Sequence, residues 1–365
     1  MKYNEIRRKT RKIKVGNVFI GGDAPIPVQS MTNTDTKDIA ATIAQVKELA
    51  AAGCDIVRIA FPDLESVETL RVLRQEIIGV PIVADIHFDY RIALKCAEYG
   101  VDKIRINPGN IGSDERVREV CLACAERNIP IRIGVNSGSL EKSILEKHGS
   151  PTAEALVESA LYHVSLLEKF GFFNIVISIK ASSPYEMIRA NRLLAARCGY
   201  PIHLGVTEAG SAQIGSIKSA IGIGALLCDG IGDTIRVSLT ENPAQEVAAA
   251  KKILGALGVE GQRGLDIVSC PTCGRTKIDL IPLVKAFEDA ARAEGLMNVP
   301  LKVALMGCAV NGPGEAREAD IGIAGGKGEA VLIRRGGIVE KIAEDEIVTR
   351  LIAEVKKVAE FMDKG

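Results

Sequence analysis

Short runs of apolar, β-branched residues alternate with longer amphipathic segments between residues 27 and 257 of this chain. Apolar runs of about four to eight residues bounded by turn signals are typical of buried strands, and apolar positions three and four apart are typical of helices. Eight strands are predicted, at residues 28–32, 56–60, 81–86, 103–107, 130–135, 175–180, 201–206 and 234–239. Eight β/α units in about 230 residues predict an α/β fold of the (β/α)8 TIM-barrel type, closed by parallel strand pairing.

A doubly wound open sheet is the alternative architecture, but the chain lacks its nucleotide-binding fingerprint. Gly222 and Gly224 lie inside a helical run rather than directly after a strand, which favours a packing role. Ahead of the barrel, the alternation of Val15, Val18 and Ile20 predicts a hairpin. Seven cations precede Val15. We expect them to be solvated on the hairpin rather than to form a targeting peptide or a nucleic-acid-binding arm.

Five cations lie in or at the end of predicted strands that are otherwise apolar: Arg58, Arg105, Arg132, Lys180 and Arg236. A single one would be interpreted as a structural salt bridge. Five at one barrel mouth are costly to bury without anions, and the acids expected near that rim are Asp85 and Glu208. A diphosphate suits the remaining surplus of about three positive charges, because guanidinium and ammonium groups bind phosphate oxygens through charge-assisted hydrogen bonds.

Residues two or four apart on a strand share a face, and four such pairs place polar groups at the strand ends. The pairs are Arg105 with Asn107, Arg132 with Asn136, Arg236 with Ser238, and Asp85 with His87. We expect these side chains to point into the barrel mouth as phosphate and hydroxyl ligands. Glu208 ends the seventh strand, where barrel enzymes place acid/base groups, although a salt bridge to one of the five cations is the competing interpretation.

A second domain follows the barrel. Residues 1–257 are assigned to the barrel and its hairpin, and the glycines of residues 258–264 predict a linker. Residues 265–365 predict a small α+β domain with strands leading into Cys270 and Cys308, helices at 279–294 and 346–362, and further strands at 320–324, 330–334 and 338–342. About 100 residues are enough for a separate hydrophobic core.

Three cysteines of this second domain lie in turns rich in Gly and Pro. Cys270 and Cys273 form a Cys-x-x-Cys knuckle, and Cys308 follows a later strand. A structural zinc site normally needs a fourth Cys or His, but all four histidines lie far upstream and no cysteine follows Cys308. The spacing therefore favours an iron-sulfur cluster whose fourth iron takes a harder ligand, with Glu315 as the nearest donor; zinc remains the alternative.

The other six cysteines are predicted to be apolar core residues. Cys121 and Cys124 have ligand spacing but lie in a helical run, and Cys54, Cys96, Cys198 and Cys228 are isolated. Nine cysteines without a secretory signal favour the reducing cytoplasm.

Composition excludes two broad classes of partner. Basic and acidic residues balance at 46 each, and with 4% aromatic residues and no Trp the chain lacks the pattern of a nucleic-acid-binding protein. No apolar run reaches the roughly 18 residues of a membrane span.

The predicted geometry also bears on assembly. The eighth barrel helix returns to the face opposite the cationic mouth. Residues 255–264 span at most about 34 Å when fully extended, which is barely the height of the barrel. We therefore expect a homodimer in which the second domain of one chain covers the barrel mouth of the other, so that each site is built in trans.

Several motifs closely resemble those of the bacterial hydroxymethylbutenyl diphosphate synthases of the non-mevalonate isoprenoid pathway. The resemblance covers nearly the whole length and rests on Val28-Gln29-Ser30-Met31-Thr32-Asn33-Thr34, Ala84-Asp85-Ile86-His87-Phe88-Asp89, Arg105-Ile106-Asn107-Pro108-Gly109-Asn110, Gly134-Val135-Asn136-Ser137-Gly138-Ser139-Leu140, Val206-Thr207-Glu208-Ala209-Gly210, Ser269-Cys270-Pro271-Thr272-Cys273-Gly274-Arg275 and Gly307-Cys308-Ala309-Val310-Asn311-Gly312-Pro313-Gly314-Glu315. The long insertion of plant-type members is missing, so the chain is similar to the two-domain bacterial form.

The resemblance implies a barrel domain, a cluster domain similar to those of sulfite and nitrite reductases, and a dimer with sites in trans. It implies a [4Fe-4S] cluster held by three Cys and one Glu, at the positions of Cys270, Cys273, Cys308 and Glu315. The implied substrate is 2-C-methyl-erythritol 2,4-cyclodiphosphate, opened with two electrons from a flavodoxin or a ferredoxin.

On this basis we expect the five cations, with Ser238, His87 and Asn136, to hold the diphosphate. Glu208 and Asp85 would manage protons, and Glu315 would be an exchangeable ligand. The competing hypothesis is a zinc-ribbon-tagged barrel that binds a phosphorylated metabolite without redox chemistry.

Overall fold

The computed structural model describes residues 3–76, 79–259 and 264–362. The chain divides into two compact units, Met1–Leu257 and Gly258–Gly365. Most of the predicted linker, residues 260–263, lies outside the described residues. None of the helices in the described ranges combines the length and apolar character that crossing a bilayer requires.

The first unit is built around parallel strands. They are β3 (Gln29–Met31), β4 (Ile56–Ala60), β5 (Ile82–Asp85), β6 (Lys103–Ile106), β7 (Ile131–Asn136), β8 (Ile175–Lys180), β9 (His203–Leu204) and β10 (Thr234–Ile235). Strands β3 to β8 form one sheet in sequence order, and β9 pairs with β10. Parallel bridges from Ile177 to Ile202 and from Val28 to Ile235 join the two sheets at both edges. The ring therefore closes as a TIM barrel, as predicted.

Helices follow the strands and cover the outside of the barrel. The first unit contains α1 (Tyr3–Ile6), α2 (Ile39–Ala51), α3 (Val67–Gln75), α4 (Tyr90–Glu98), α5 (Pro108–Ile111), α6 (Asp114–Glu126), α7 (Lys142–His148), α8 (Ala153–Lys169), α9 (Pro184–Ala195), α10 (Ala212–Cys228) and α11 (Pro243–Ala256). Side chains of Asp38, Thr152 and Ser183 accept hydrogen bonds from backbone N–H groups in the first turns of α2, α8 and α9. These caps satisfy donors that a helix start leaves unpaired.

Strands β9 and β10 are shorter than predicted. Both lie at the closing seam of the barrel, where Gly205 allows two backbones to approach closely. A Cβ atom added at Gly205 would lie 2.6 Å from the carbonyl oxygen of Arg236. Such a close approach explains why glycine stands there.

An N-terminal hairpin closes one end of the barrel. Strands β1 (Ile13–Val15) and β2 (Val18–Ile20) pair antiparallel, and their buried apolar side chains pack against Ile56, Val83 and Val176. The expectation that the preceding cations are solvated is wrong for Arg7 and Arg8. The Arg7 side chain is buried and pairs with Asp233, and the Arg8 guanidinium donates to the carbonyl oxygens of Ala195, Cys198 and Tyr200. Arg8 thus caps carbonyl groups of the barrel, which a count of charges does not reveal.

The second unit is a five-stranded mixed sheet with helices. Its strands are β11 (Asp266–Ser269), β12 (Lys302–Met306), β13 (Ile321–Gly325), β14 (Glu329–Arg334) and β15 (Gly337–Ala343), and its helices are α12 (Leu280–Ala293), α13 (Gly312–Ala316) and α14 (Ile347–Met362). Strands β11 to β13 are parallel, whereas β14 and β15 are antiparallel. Phe287 of α12, Leu305 of β12 and Leu351 of α14 lie in its own core.

Candidate active site

A cavity of about 110 Å³ lies in the barrel and is lined mainly by charged and polar side chains. Most of the predicted ligands line it: Arg58, Asp85, His87, Arg105, Arg132, Asn136, Lys180, Arg236 and Ser238. Gly134, Ser178 and Thr207 also line it and were not predicted. We call this cavity, with its lining residues, the cation-lined cavity. The period of two along each strand is what brings these side chains to one side of the barrel wall.

Among the described residues that line this cavity, Asp85 supplies the carboxylate, and it is only 1% exposed. It lies 3.1 Å from Nη1 of Arg105, 3.4 Å from Nη2 of Arg58 and 3.9 Å from Nε2 of His87. Burial raises the pKa of Asp85, but the charges of Arg58 and Arg105 outweigh burial and hold it below its usual range. Asp85 is therefore ionised and orients two guanidinium groups.

A second buried acid, Glu246, pairs with the cation Arg236 and was missed by the sequence analysis. Its carboxylate lies 3.3 Å from Nε of Arg236, and the residue is 4% exposed. Neither Arg132 nor Lys180 forms an ion pair with a carboxylate among the described residues. With two carboxylates against five cations, the cavity keeps a positive surplus suited to an anion.

Two predicted residues, Asn107 and Glu208, are placed elsewhere. The side-chain oxygen of Asn107 accepts a hydrogen bond from the N–H of Gly109 at 3.1 Å and caps α5 instead of lining the cavity. Glu208 is exposed and does not line the cavity, and its φ of 52° lies in the left-handed region. A non-glycine residue in that region carries backbone strain of about 1–3 kcal/mol, a feature that clusters at functional sites.

Two further basic side chains, Lys103 and His203, are buried inside the barrel. Both are fully buried, and Lys103 Nζ and both ring nitrogens of His203 have no hydrogen-bond partner in the described part of the chain. Burial lowers the pKa of each well below its usual range, and Arg132 is the largest charge that lowers it further. The inward position of Lys103 is two residues before Arg105, so the strand parity could have indicated it.

The second candidate site lies at one edge of the sheet in the second unit. Strands β11 and β12 run parallel, with Ser269 opposite Leu305, so the segments carrying Cys270 and Cys308 leave the sheet at the same edge. Cys273 lies three residues after Cys270 in the same Cys-x-x-Cys turn, and Thr272 between them has a φ of 58°. We call Cys270, Cys273, Cys308 and Glu315 the thiol edge.

Hydrogen-bond donors at the thiol edge favour thiolates. The N–H of Gly307 donates to Sγ of Cys270 at 3.3 Å. Backbone N–H groups of Asn311 and Val310 lower the pKa of the Cys308 thiol, and that of Arg275 does so at Cys273, helped by its guanidinium. Thiolates are the form that binds soft metals. The donor set therefore fits an iron-sulfur group, although no cluster of three or more potential metal ligands is already assembled in the described residues.

The remaining cysteines divide by burial. Cys54, Cys96, Cys121 and Cys124 are buried, as expected for core residues. The same expectation is wrong for Cys228, which is exposed, and for Cys198, which is half-buried. Both lie near helix ends, where isolated cysteines carry no periodic signal that fixes their orientation.

Comparison with known families covers both units. Residues 10–251 match the model described as the GcpE TIM-barrel domain, and residues 266–357 match the GcpE protein C-terminal domain. The chain belongs to the GcpE family. The cation-lined cavity lies within the first matched range, and the thiol edge lies within the second.

Curated relatives match almost from end to end. A protein of Clostridium perfringens is 56% identical over 346 residues, which is 95% of this chain and 98% of the relative. A protein of Geobacter sulfurreducens is 56% identical over 353 residues, which is 97% of this chain and 99% of the relative. Both are named 4-hydroxy-3-methylbut-2-en-1-yl diphosphate synthase (flavodoxin).

Among solved structures, a Plasmodium falciparum HPPK-DHPS protein with SDX-DHP is similar, with a TM-score of 0.50 and 13% identity. The match covers 68% of this chain and 50% of that one. At this identity the likeness speaks to the fold alone.

In this GcpE-family chain, anion binding is expected to take up protons. Burial lowers the pKa of Lys180 well below its usual range, and Arg236 is the largest charge that lowers it further. A bound diphosphate would raise the pKa of Lys180. At a pH between its pKa in the free protein and its pKa in the complex, binding therefore takes up to about one proton. In that range the affinity for diphosphate falls up to about tenfold for each unit by which the pH rises.

The measurement is calorimetry of inorganic diphosphate binding at one pH in buffers of different ionisation enthalpy. The Lys180→Met variant serves as the control and should show a smaller proton uptake. A binding enthalpy that is the same in every buffer would contradict this prediction.

Proposed function

We propose that this chain reductively opens 2-C-methyl-D-erythritol 2,4-cyclodiphosphate to (E)-4-hydroxy-3-methylbut-2-enyl diphosphate and water. The chain is an oxidoreductase of isoprenoid biosynthesis. The observation that carries the proposal is the cation-lined cavity in a chain whose relatives, more than half identical over nearly their full length, are named for that product. The zinc-ribbon hypothesis is not favoured, because a barrel without redox chemistry accounts neither for the product in the relatives' names nor for the flavodoxin that those names print.

The cavity supplies the binding chemistry. Arg58, Arg105, Arg132, Lys180 and Arg236 would hold the two phosphate groups, with Ser238, His87 and Asn136 adding further hydrogen bonds. Asp85 keeps two of the guanidinium groups in place and remains ionised. Because the cations are already desolvated in the barrel wall, they bind the charge that develops on the diphosphate leaving group without large reorganisation. Protons for the departing water would be relayed by His87, whose Nε2 lies 3.9 Å from the ionised Asp85 carboxylate, or by Glu208.

We propose a [4Fe-4S] cluster as the cofactor, held by Cys270, Cys273, Cys308 and Glu315. When bound, it supplies electrons singly to the substrate. The chain's own part is to favour the thiolates of Cys273 and Cys308 through the N–H groups of Arg275 and Asn311, while the N–H of Gly307 donates to Sγ of Cys270. The fourth donor is the exposed carboxylate of Glu315, a hard oxygen ligand that exchanges more readily than a thiolate.

Reducing equivalents are proposed to come from a flavodoxin, as the names of the relatives state for those proteins, with a ferredoxin as the alternative donor. The reaction consumes two electrons and two protons for each ring opened and releases one water. The proposed compartment is the cytoplasm, where nine cysteines stay reduced.

The direct test is conversion under anaerobic conditions. Protein, reduced flavodoxin and the cyclic diphosphate are mixed, and phosphorus NMR follows the product. We expect the cyclic resonances to be replaced by those of a linear diphosphate, and only when the donor is reduced. Formation of the linear product without reductant, or no conversion by protein with its full iron content, would contradict the proposed function.

We further propose a homodimer with sites built in trans. A Cys308→Ser chain mixed and reassembled with an Arg132→Met chain is expected to regain up to about a quarter of wild-type activity, since half of the dimers carry one intact site. The matched control mixes Cys308→Ser with Cys273→Ser chains, in which every site is damaged. Equal activity in the two mixtures would exclude the arrangement in trans.

A further inference from the structure

Glu246 lies outside the cation-lined cavity, in the first turn of α11, and its carboxylate reaches the barrel wall. One oxygen, Oε2, accepts hydrogen bonds from Oγ of Ser30 at 2.8 Å and from Nε of Arg236 at 3.3 Å. The other, Oε1, accepts from the N–H of Leu239 at 3.1 Å and from Nη2 of Arg236 at 3.4 Å. Both oxygens are therefore engaged, and the carboxylate cannot turn without losing several contacts.

These contacts determine which part of Arg236 faces the cavity. Two nitrogens of one guanidinium edge, Nε and Nη2, are directed to Glu246, which leaves Nη1 toward Met31, a residue that also contacts Arg58. Nη1 lies 3.7 Å from Sδ of Met31, and Nε of Arg58 lies 3.0 Å from the same sulfur. The first barrel strand therefore supports Arg236 in two ways, since Ser30 holds Glu246 and Met31 separates two like charges.

We propose that Glu246 is a positioning residue, which fixes Arg236 in the orientation that binds a phosphate group of the substrate. A two-point contact between a carboxylate and a guanidinium adds geometric specificity, and a binding site is more effective when its ligands are held from behind. Without this partner, repulsion from Arg58 would move Arg236 away from the position that a phosphate requires. The inference rests on the proposed function, because it assigns Arg236 to the diphosphate.

Replacement of Glu246 separates two effects of opposite sign. If the carboxylate only offset positive charge, Glu246→Gln would strengthen anion binding. If it positions Arg236, the same change weakens binding, because glutamine has one acceptor oxygen and its NH2 group would face a guanidinium N–H donor. We expect Glu246→Gln to bind inorganic diphosphate about tenfold more weakly by calorimetry, and Ser30→Ala about threefold more weakly. In turnover, KM should rise more than kcat falls.

A double-mutant cycle isolates the role through Arg236. In an Arg236→Met background, Glu246→Gln is expected to cause no further weakening. The control for loss of a buried acid is Glu354→Gln in the second unit, since Glu354 is 2% exposed and pairs with Arg334 and Lys357. That variant should bind diphosphate like the wild type.

Unchanged or tighter diphosphate binding by Glu246→Gln, or equal weakening with and without Arg236, would overturn the proposal. If Glu246→Gln does not fold, Ser30→Ala decides, and wild-type affinity in that variant overturns it equally. Failure of the proposed function looks different: Arg236→Met itself would then keep wild-type diphosphate affinity.

Discussion

A chain in which Cys308 is replaced by serine is expected to lose its iron-sulfur cluster and its turnover while remaining folded. Cys308 is the third thiol of the thiol edge, and the N–H groups of Asn311 and Val310 lower its pKa. A serine hydroxyl is a poor ligand for iron beside two thiolates. We expect activity to fall by at least about three orders of magnitude, which corresponds to about 4 kcal/mol of transition-state stabilisation. The measurements are iron content and turnover under anaerobic conditions.

Cys228 provides the matched control, because it is exposed and lies in the barrel unit. Cys228→Ser should keep the wild-type iron content and rate. Circular dichroism of both variants should be that of the wild type. A Cys308→Ser protein with full iron content would remove this residue from the set of ligands.

Replacement of Arg132 by methionine is expected to stabilise the protein and to damage catalysis. Arg132 is 1% exposed, and burial, followed by the charges of Arg58 and Arg105, lowers its pKa well below the usual range. Removing this buried charge relieves desolvation and repulsion, so the free energy of unfolding should rise by about 1–4 kcal/mol. The loss of charge-assisted bonds to phosphate should lower kcat/KM by about a hundred- to a thousandfold.

Urea unfolding and steady-state kinetics measure the two effects on the same preparation. The control is Arg127→Met, which removes an exposed arginine just before the same strand and should change neither quantity much. Lower stability together with an unchanged kcat/KM in Arg132→Met would show that Arg132 is structural.

Much of the barrel could be predicted because its strands follow from the pattern of neighbouring residues in the sequence. Buried parallel strands need apolar runs, and their period of two places Arg105 and Arg132 on the inner face with Asp85. Glu246 could not be found in this way, since it reaches Arg236 from a helix rather than from a strand end. Asn107 has the correct parity, but the Pro-Gly that follows it makes its side chain a helix cap.

In the second unit, the cysteines could be placed together because they follow neighbouring parallel strands. The short helix α13 (Gly312–Ala316) was not predicted, since Gly-Pro-Gly favours a turn; Pro313 instead occupies an N-terminal helical position, where proline is tolerated. Spacing alone could not decide between zinc and iron, because both metals accept thiolates. The resemblance to a known family is what favoured an iron-sulfur cluster over zinc.

We propose that the thiol edge holds a redox cluster whose electrons reduce the substrate bound in the cation-lined cavity. Analysis of iron and acid-labile sulfide in wild-type protein purified without oxygen tests it most directly. We expect about four iron atoms and about four sulfide ions per chain. A protein that carries one zinc, or no metal, and still converts the cyclic diphosphate would contradict it.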